Sequence, residues 1–398
     1  MAATMENSDG SVEDTRAADG VHSMPSPLTQ KETCLPTADP STPDTSVSGR
    51  STEQSAATLS IAESSGTTIH RDADLEVVVK SPDGKTVKYM VCAAVLACIS
   101  PAWKSKLENG ENRPLVIEDD AEAIRVIFHI AHHDYAKVPE EPTLDQLFEL
   151  SETACRYDCT HIYYPWANQW ISNVFSSFGQ DHRCFPECHK AIKISWVFGD
   201  LELFRDMTDA LIVSSRLDTT GNIVNICGER LEEMHLPAGL ADIVANARAT
   251  TLREMISAAR APIDTVSGRD EGESSTYCKV GKDGNACEMM LLGSAIPMLT
   301  KAGLFPVPAP EQYTGSINDM KNALLKVKAV PYYGKEWAPH ASHDGCTLGL
   351  ENVAFNCLKD MKVPLNEVTM AWMSEQATKC GVQATTELQS WRESNTAN

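Results

Sequence analysis

The chain has 398 residues, 42% of them apolar, with a formal charge of −21 and an isoelectric point near 4.9. The length accommodates two or three compact domains. The acidic balance, with no Lys/Arg cluster, argues against direct nucleic-acid binding and against docking on anionic membranes. No run approaches the ~20 apolar residues of a membrane span, and Met1–Glu6 carries neither a basic nor an apolar signal region. Thirteen scattered cysteines, an odd number, read as reduced thiols of an intracellular protein of cytoplasm or nucleus rather than as a disulfide framework.

Residues 1–68 contain no Phe, Trp or Tyr, and 23 of them are Ser or Thr. With ten acidic and three basic side chains, this stretch has too little apolar surface to offset an ordering entropy of roughly 1–2 kcal/mol per residue, so a disordered tail is expected. From Asp74 the pattern changes. Leu75, Val77 and Val79 alternate with Glu76, Val78 and Lys80, and Val87, Tyr89 and Val91 alternate with Lys88 and Met90 across Ser81-Pro82-Asp83-Gly84. That is the signature of an antiparallel hairpin. Cys92–Ile99 reads as a short buried helix, Ser100-Pro101 restarts the chain into a second one with Trp103 and Leu107, and Leu115–Ile117 is a short strand. Asp119 and Glu122 resemble a capping box for a helix that buries Ile124, Ile127, Phe128 and Ala131. Thr143 and Gln146 repeat the signature ahead of Leu144, Leu147, Phe148, Ala154 and Cys155. Pro165 suits the first turn of a further helix with Trp166, Trp170 and Val174 on one face.

Taken together, the stretches Asp74–Val79, Tyr89–Val91, Val95–Ala97, Ile99–Pro101, Leu115–Asp120, Arg156–Cys159 and Pro165–Trp170 resemble a BTB/POZ domain in the version found in filamentous-fungal proteins. The resemblance covers about a quarter of the chain. It implies an α+β BTB/POZ fold, a short β-sheet with packed helices, over residues 69–175, followed by a mainly α-helical C-terminal region. Two departures from the pattern are Cys92, where many animal members carry His, and His132-His133-Asp134, which replaces Tyr-Thr-Gly.

Beyond Trp170 the periodicity is helical. Ala191, Ile194, Val197 and Phe198 form one stripe, Gly199-Asp200 reads as a stop and a new cap, and Leu201, Phe204, Leu211 and Ile212 form the next stripe. Pro237 is expected to begin a long helix with Leu240, Ile243, Val244 and Ala247 inward. Val266–Ser275 reads as a linker by composition, which divides the remainder into helical regions at 180–265 and 276–398. Four helical runs are expected in the last region, around Cys287–Ala302, Ser316–Val327 (with Ser316 and Asp319 as a cap), Leu348–Met361 and Leu365–Ala377.

One metal-ligand set stands out. Cys278 and Cys287 flank a Lys-Asp-Gly-Asn turn, and His340, His343 and Cys346 follow at three-residue intervals some sixty residues on. Cys278, Cys287, His343 and Cys346 would make a Cys3His structural zinc site, because zinc takes four Cys or His ligands in a closed tetrahedron. The competing reading is plain packing, since free Cys is among the most buried residue types. His129 and His133 share a helical face beside His132, where a helix C-terminus favours cationic imidazole over any metal role. Cys184, Cys188 and His189 form a partial set without a second pair. No G-x-S-x-G, Walker A, dinucleotide fingerprint or H-E-x-x-H motif is present, so no catalytic residue or organic cofactor is assigned.

The resemblance implies a protein–protein interaction or scaffold protein that homodimerises through the BTB-like domain and recruits partners. A cullin-type ubiquitin-ligase adaptor is the alternative. Such adaptors often carry a hydrophobic-x-Glu motif in the loop that corresponds here to Leu107–Asn112; Glu111 is available, but Asn109 occupies the hydrophobic position and removes the docking anchor. Direct DNA contact is disfavoured by charge and by the absence of a C2H2 spacing, and a metal-dependent or other enzyme is the lower alternative.

Overall fold

The computed structural model describes residues 66–109, 114–176, 186–270, 273–280, 283–332, 343–359, 361, 363 and 365–396. Its sheet is built on the expected hairpin. Strand β2 (Leu75–Lys80) runs antiparallel to β3 (Thr86–Val91), with Leu75 opposite Val91 and Val77 opposite Tyr89. The period-two alternation buries Leu75, Val77, Val79, Tyr89 and Val91 on one face. The reversal needs a left-handed residue, and Gly84 supplies it at φ +83° while its amide donates to Ser81 O at 2.9 Å. Strand β4 (Leu115–Glu118) joins in parallel beside β2. An unexpected strand, β1 (Thr67–Thr68), pairs in parallel with β3 opposite Tyr89 and Met90, so the last residues assigned to the tail belong to the sheet. The sheet order is β1-β3-β2-β4.

Between β3 and β4 lie α1 (Ala93–Ile99) and α2 (Pro101–Glu108). Ser100 caps α2 by accepting from Trp103 N at 3.1 Å and donates to Tyr157 O at 2.5 Å. Trp103 is thereby held fully buried, stacked on Tyr157 at 4.6 Å and tilted against Phe128 at 5.6 Å. Helix α3 (Ala121–Ala131) is capped by Asp120, which accepts from Ala123 N at 2.7 Å. The expected cap, Asp119, instead points inward: it accepts from Thr153 Oγ1 at 3.0 Å and pairs with Arg156 at 2.6 Å. Helix α4 (Leu144–Arg156) has both halves of the Thr143/Gln146 capping box. Helix α5 (Ala167–Ser176) starts two residues after Pro165; its Trp170 is buried and donates to Pro139 O at 2.9 Å.

Among the described residues the C-terminal half is mainly helical, with one small hairpin, β5 (Arg216–Leu217) with β6 (Ile223–Val224). Helices α6 (Cys188–Phe198) and α7 (Leu201–Ser214) are joined at Gly199, φ +81°, and Asp200, whose carboxylate accepts from Leu203 N at 3.0 Å. The long helix α8 runs over Leu240–Ser267, entered through Gly239 rather than Pro237, and carries Val266 of the expected linker as a buried residue. Then come α9 (Gly284–Lys301), α10 (Ile317–Leu325) with the Ser316/Asp319 capping box, α11 (Leu350–Lys359), α12 (Glu367–Cys380) and α13 (Thr386–Thr396).

The described residues from 66 to 396 form one compact unit, so those of the segments expected at 69–175, 180–265 and 276–398 pack within a common body. Helix α6 lies between α4 and α12, and α12 also packs on the 3-10 turn Thr160–Tyr163. Among the described residues, no helix is long and apolar enough to cross a membrane.

Candidate functional site

The four residues expected to share a metal come together. Cys278 lies in the segment leading to α9, Cys287 in that helix's first turn, and His343 and Cys346 in a turn ahead of α11. The turn is closed by Cys346 N donating to His343 O at 2.9 Å. All four side chains are buried, and their donor atoms lie within 4.8 Å of one another. Cys278 Sγ is 3.3 Å from His343 Nδ1, and Cys346 Sγ is 3.9 Å from both Cys278 Sγ and His343 Nδ1. Three sulfurs and an imidazole nitrogen meeting out of solvent are the donor set of a closed zinc site. None of the three cysteines forms a disulfide with another described residue.

Surrounding groups hold this arrangement. The Lys279 amide donates to Cys346 Sγ at 3.3 Å, and the Tyr332 ring stands edge-on to the His343 ring at 5.7 Å. Glu288, the residue after Cys287, is fully buried. Its carboxylate accepts from Cys278 N at 3.1 Å and from Tyr277 N, and it is ion-paired to Arg269. The loop bearing Cys278 is therefore pinned to the helix bearing Cys287. Gly284 permits the approach, since a Cβ there would sit 2.7 Å from Ser275 Cβ. Burial, with an added contribution from Cys346 and Cys278, pushes the Cys287 thiol up to about 11. A metal would have to displace that proton.

No local sequence pattern marks Arg269 or Glu288. The available signal was a lone acidic residue among the apolar residues of α9. His340 and Cys184 lie outside the described residues. Cys188 is buried in α6, and His189 is 3.9 Å from Glu229. His129 meets Asp134 at 3.0 Å, and His133, at φ +60°, bonds to the Tyr135 hydroxyl at 2.6 Å. His132 donates through Nδ1 to Phe128 O at 2.8 Å and accepts from Cys92 N at 3.0 Å through Nε2. Burial lowers the pKa of both His129 and His132, so these imidazoles favour the neutral form instead of serving as helix-terminal cations. Among the described residues, no second group of three metal-competent side chains converges.

The sheet presents a different feature. Strand β4 is its last strand, and its outer side has no strand partner among the described residues; Val116 on it is half exposed. At the end of α2, Asn109 is an exposed C-cap and Leu107 is packed against the core, while Glu111 of the same loop lies outside the described residues. No protein-family model matches this chain, and no curated protein matches it at a significant level.

Proposed function

We propose that this chain is a protein–protein interaction or scaffold protein whose residues 69–175 form a BTB/POZ-like module that self-associates into a homodimer. What supports the reading is the order and pairing of the elements. An antiparallel hairpin is followed by two short helices joined at Ser100-Pro101, by a strand that returns in parallel beside β2, and by the helices α3 to α5. The two departures from the family pattern also meet in space, because the Cys92 amide donates to His132.

The open edge of β4 provides a route to self-association. Its outer edge, without a strand partner among the described residues, and the half-exposed Val116 suit pairing with a second copy of the same edge. Light scattering or sedimentation of the full chain is expected to report a dimer, and Val116→Lys to shift the equilibrium toward monomer. A strictly monomeric wild-type protein up to its solubility limit would overturn the reading.

A further inference from the structure

We infer that Cys278, Cys287, His343 and Cys346 bind a single Zn2+ that clips the start of α9 and the segment leading into it to the segment before α11. The inference is independent of the self-association reading and rests on different residues.

Geometry is the first support. Metal–sulfur bonds of about 2.3 Å and metal–nitrogen bonds of about 2.0 Å give a tetrahedron with S···S edges of roughly 3.8 Å and S···N edges of roughly 3.5 Å. The corresponding separations are 3.9 Å for Cys346–Cys278, 3.3 Å for Cys278–His343 and 3.9 Å for Cys346–His343. With all four donors inside 4.8 Å, the set spans one ion. Burial is the second support. Cys287 is fully buried and the other three are at least 93% buried, which leaves no side open to solvent or substrate and marks the site as structural.

Packing of apolar thiols would explain buried sulfur. It does not explain why an imidazole nitrogen faces two of the sulfurs, or why a fully buried carboxylate is spent on the loop that carries one of them. Glu288 is a positioning residue: its bond to the Cys278 amide sets where that sulfur points. The Lys279 amide donating to Cys346 Sγ offsets charge that would develop on a thiolate. Supporting hydrogen bonds of this kind are what orient ligands and tune affinity at metal sites. Soft thiolates with one imidazole in a tetrahedron favour zinc over magnesium or calcium, which take oxygen donors.

The test uses the full chain. Wild-type protein purified without chelator is expected to contain one zinc per chain by elemental analysis. After stripping, titration with Co2+ is expected to give tetrahedral d–d bands and a thiolate-to-cobalt charge-transfer band sized for three sulfurs, both abolished by Zn2+. Cys346→Ala and His343→Ala should each weaken Co2+ binding beyond the roughly 10–100-fold expected of Glu288→Gln. Cys98→Ser, which alters an exposed cysteine, should leave both spectrum and affinity unchanged. Metal-free wild-type protein that yields no tetrahedral cobalt spectrum overturns the inference, as does iron in place of zinc, or a Cys346→Ala protein that keeps stoichiometric zinc. Should the ligand variants fold poorly, the wild-type zinc content and cobalt spectrum decide alone.

Discussion

Asp209 on α7 shows how one side chain can work against its own fold. Its Oδ1 is buried without a hydrogen-bond partner among the described residues. Burial first, and the neighbouring Asp206 second, push the carboxyl up to about 6, with Arg205 opposing. Because the folded value lies above the unfolded one of 3.8, the folded state holds the proton more tightly. Stability from this group is full below about pH 4 and is lost as pH rises through about 6. Asp209→Asn is therefore expected to stabilise the protein by about 1 kcal/mol at neutral pH and to make no difference below about pH 4. Urea unfolding of both proteins across that range measures it; an equal gain at every pH would refute the titration argument. The acidic residue was visible in the sequence. Its missing partner was not, because that depends on what the rest of the fold places beside α7.

Among the elements, caps and turns were the most legible parts, since each is written in three or four adjacent residues. The Thr143/Gln146 and Ser316/Asp319 boxes both form. At Asp119-Asp120 local reading reached its limit: either aspartate suits a cap, and the choice was made by Thr153 and Arg156, which draw Asp119 into the core. Gly199 has a legible role and a hidden one. It stops α6 in the left-handed region, which adjacent residues predict, and it also lets α12 approach, since an added Cβ would lie 2.7 Å from both Ala377 Cα and Met373 O. Gly199→Ala should therefore cost about 3 kcal/mol or more, combining backbone strain with an overpacked helix contact. Thermal or denaturant unfolding checks this, and a loss below about 1 kcal/mol would mean the two helices separate easily.

On the scale of the whole molecule, α12 is tied to the N-terminal half. Trp372 stacks on Trp196 at 5.4 Å and donates to its carbonyl at 3.0 Å, while Thr160 Oγ1 donates to Gln376 at 3.1 Å. Met370, Met373, Ala377 and Cys380 are buried on the facing side of the helix. Each large side chain so buried contributes about 1.5–3 kcal/mol, against a net stability of about 5–15 kcal/mol for a typical domain. Deleting residues 367–398 is expected to yield insoluble protein or to abolish cooperative unfolding. A soluble truncated chain with an unchanged transition would show that α12 is dispensable.

By itself the sequence determined what neighbouring residues can encode: the hairpin and its turn, most caps, the apolar helix faces, and the identity of four candidate metal ligands. Only the tertiary structure decided that Cys278 and Cys287 meet His343 and Cys346, that Glu288 and Arg269 brace them, and that α12 closes over α6. The reason is physical. Periods, caps and turns arise from sterics and hydrogen bonds within a few residues, whereas bringing together side chains some sixty to two hundred positions apart is settled by how all the helices share one buried core.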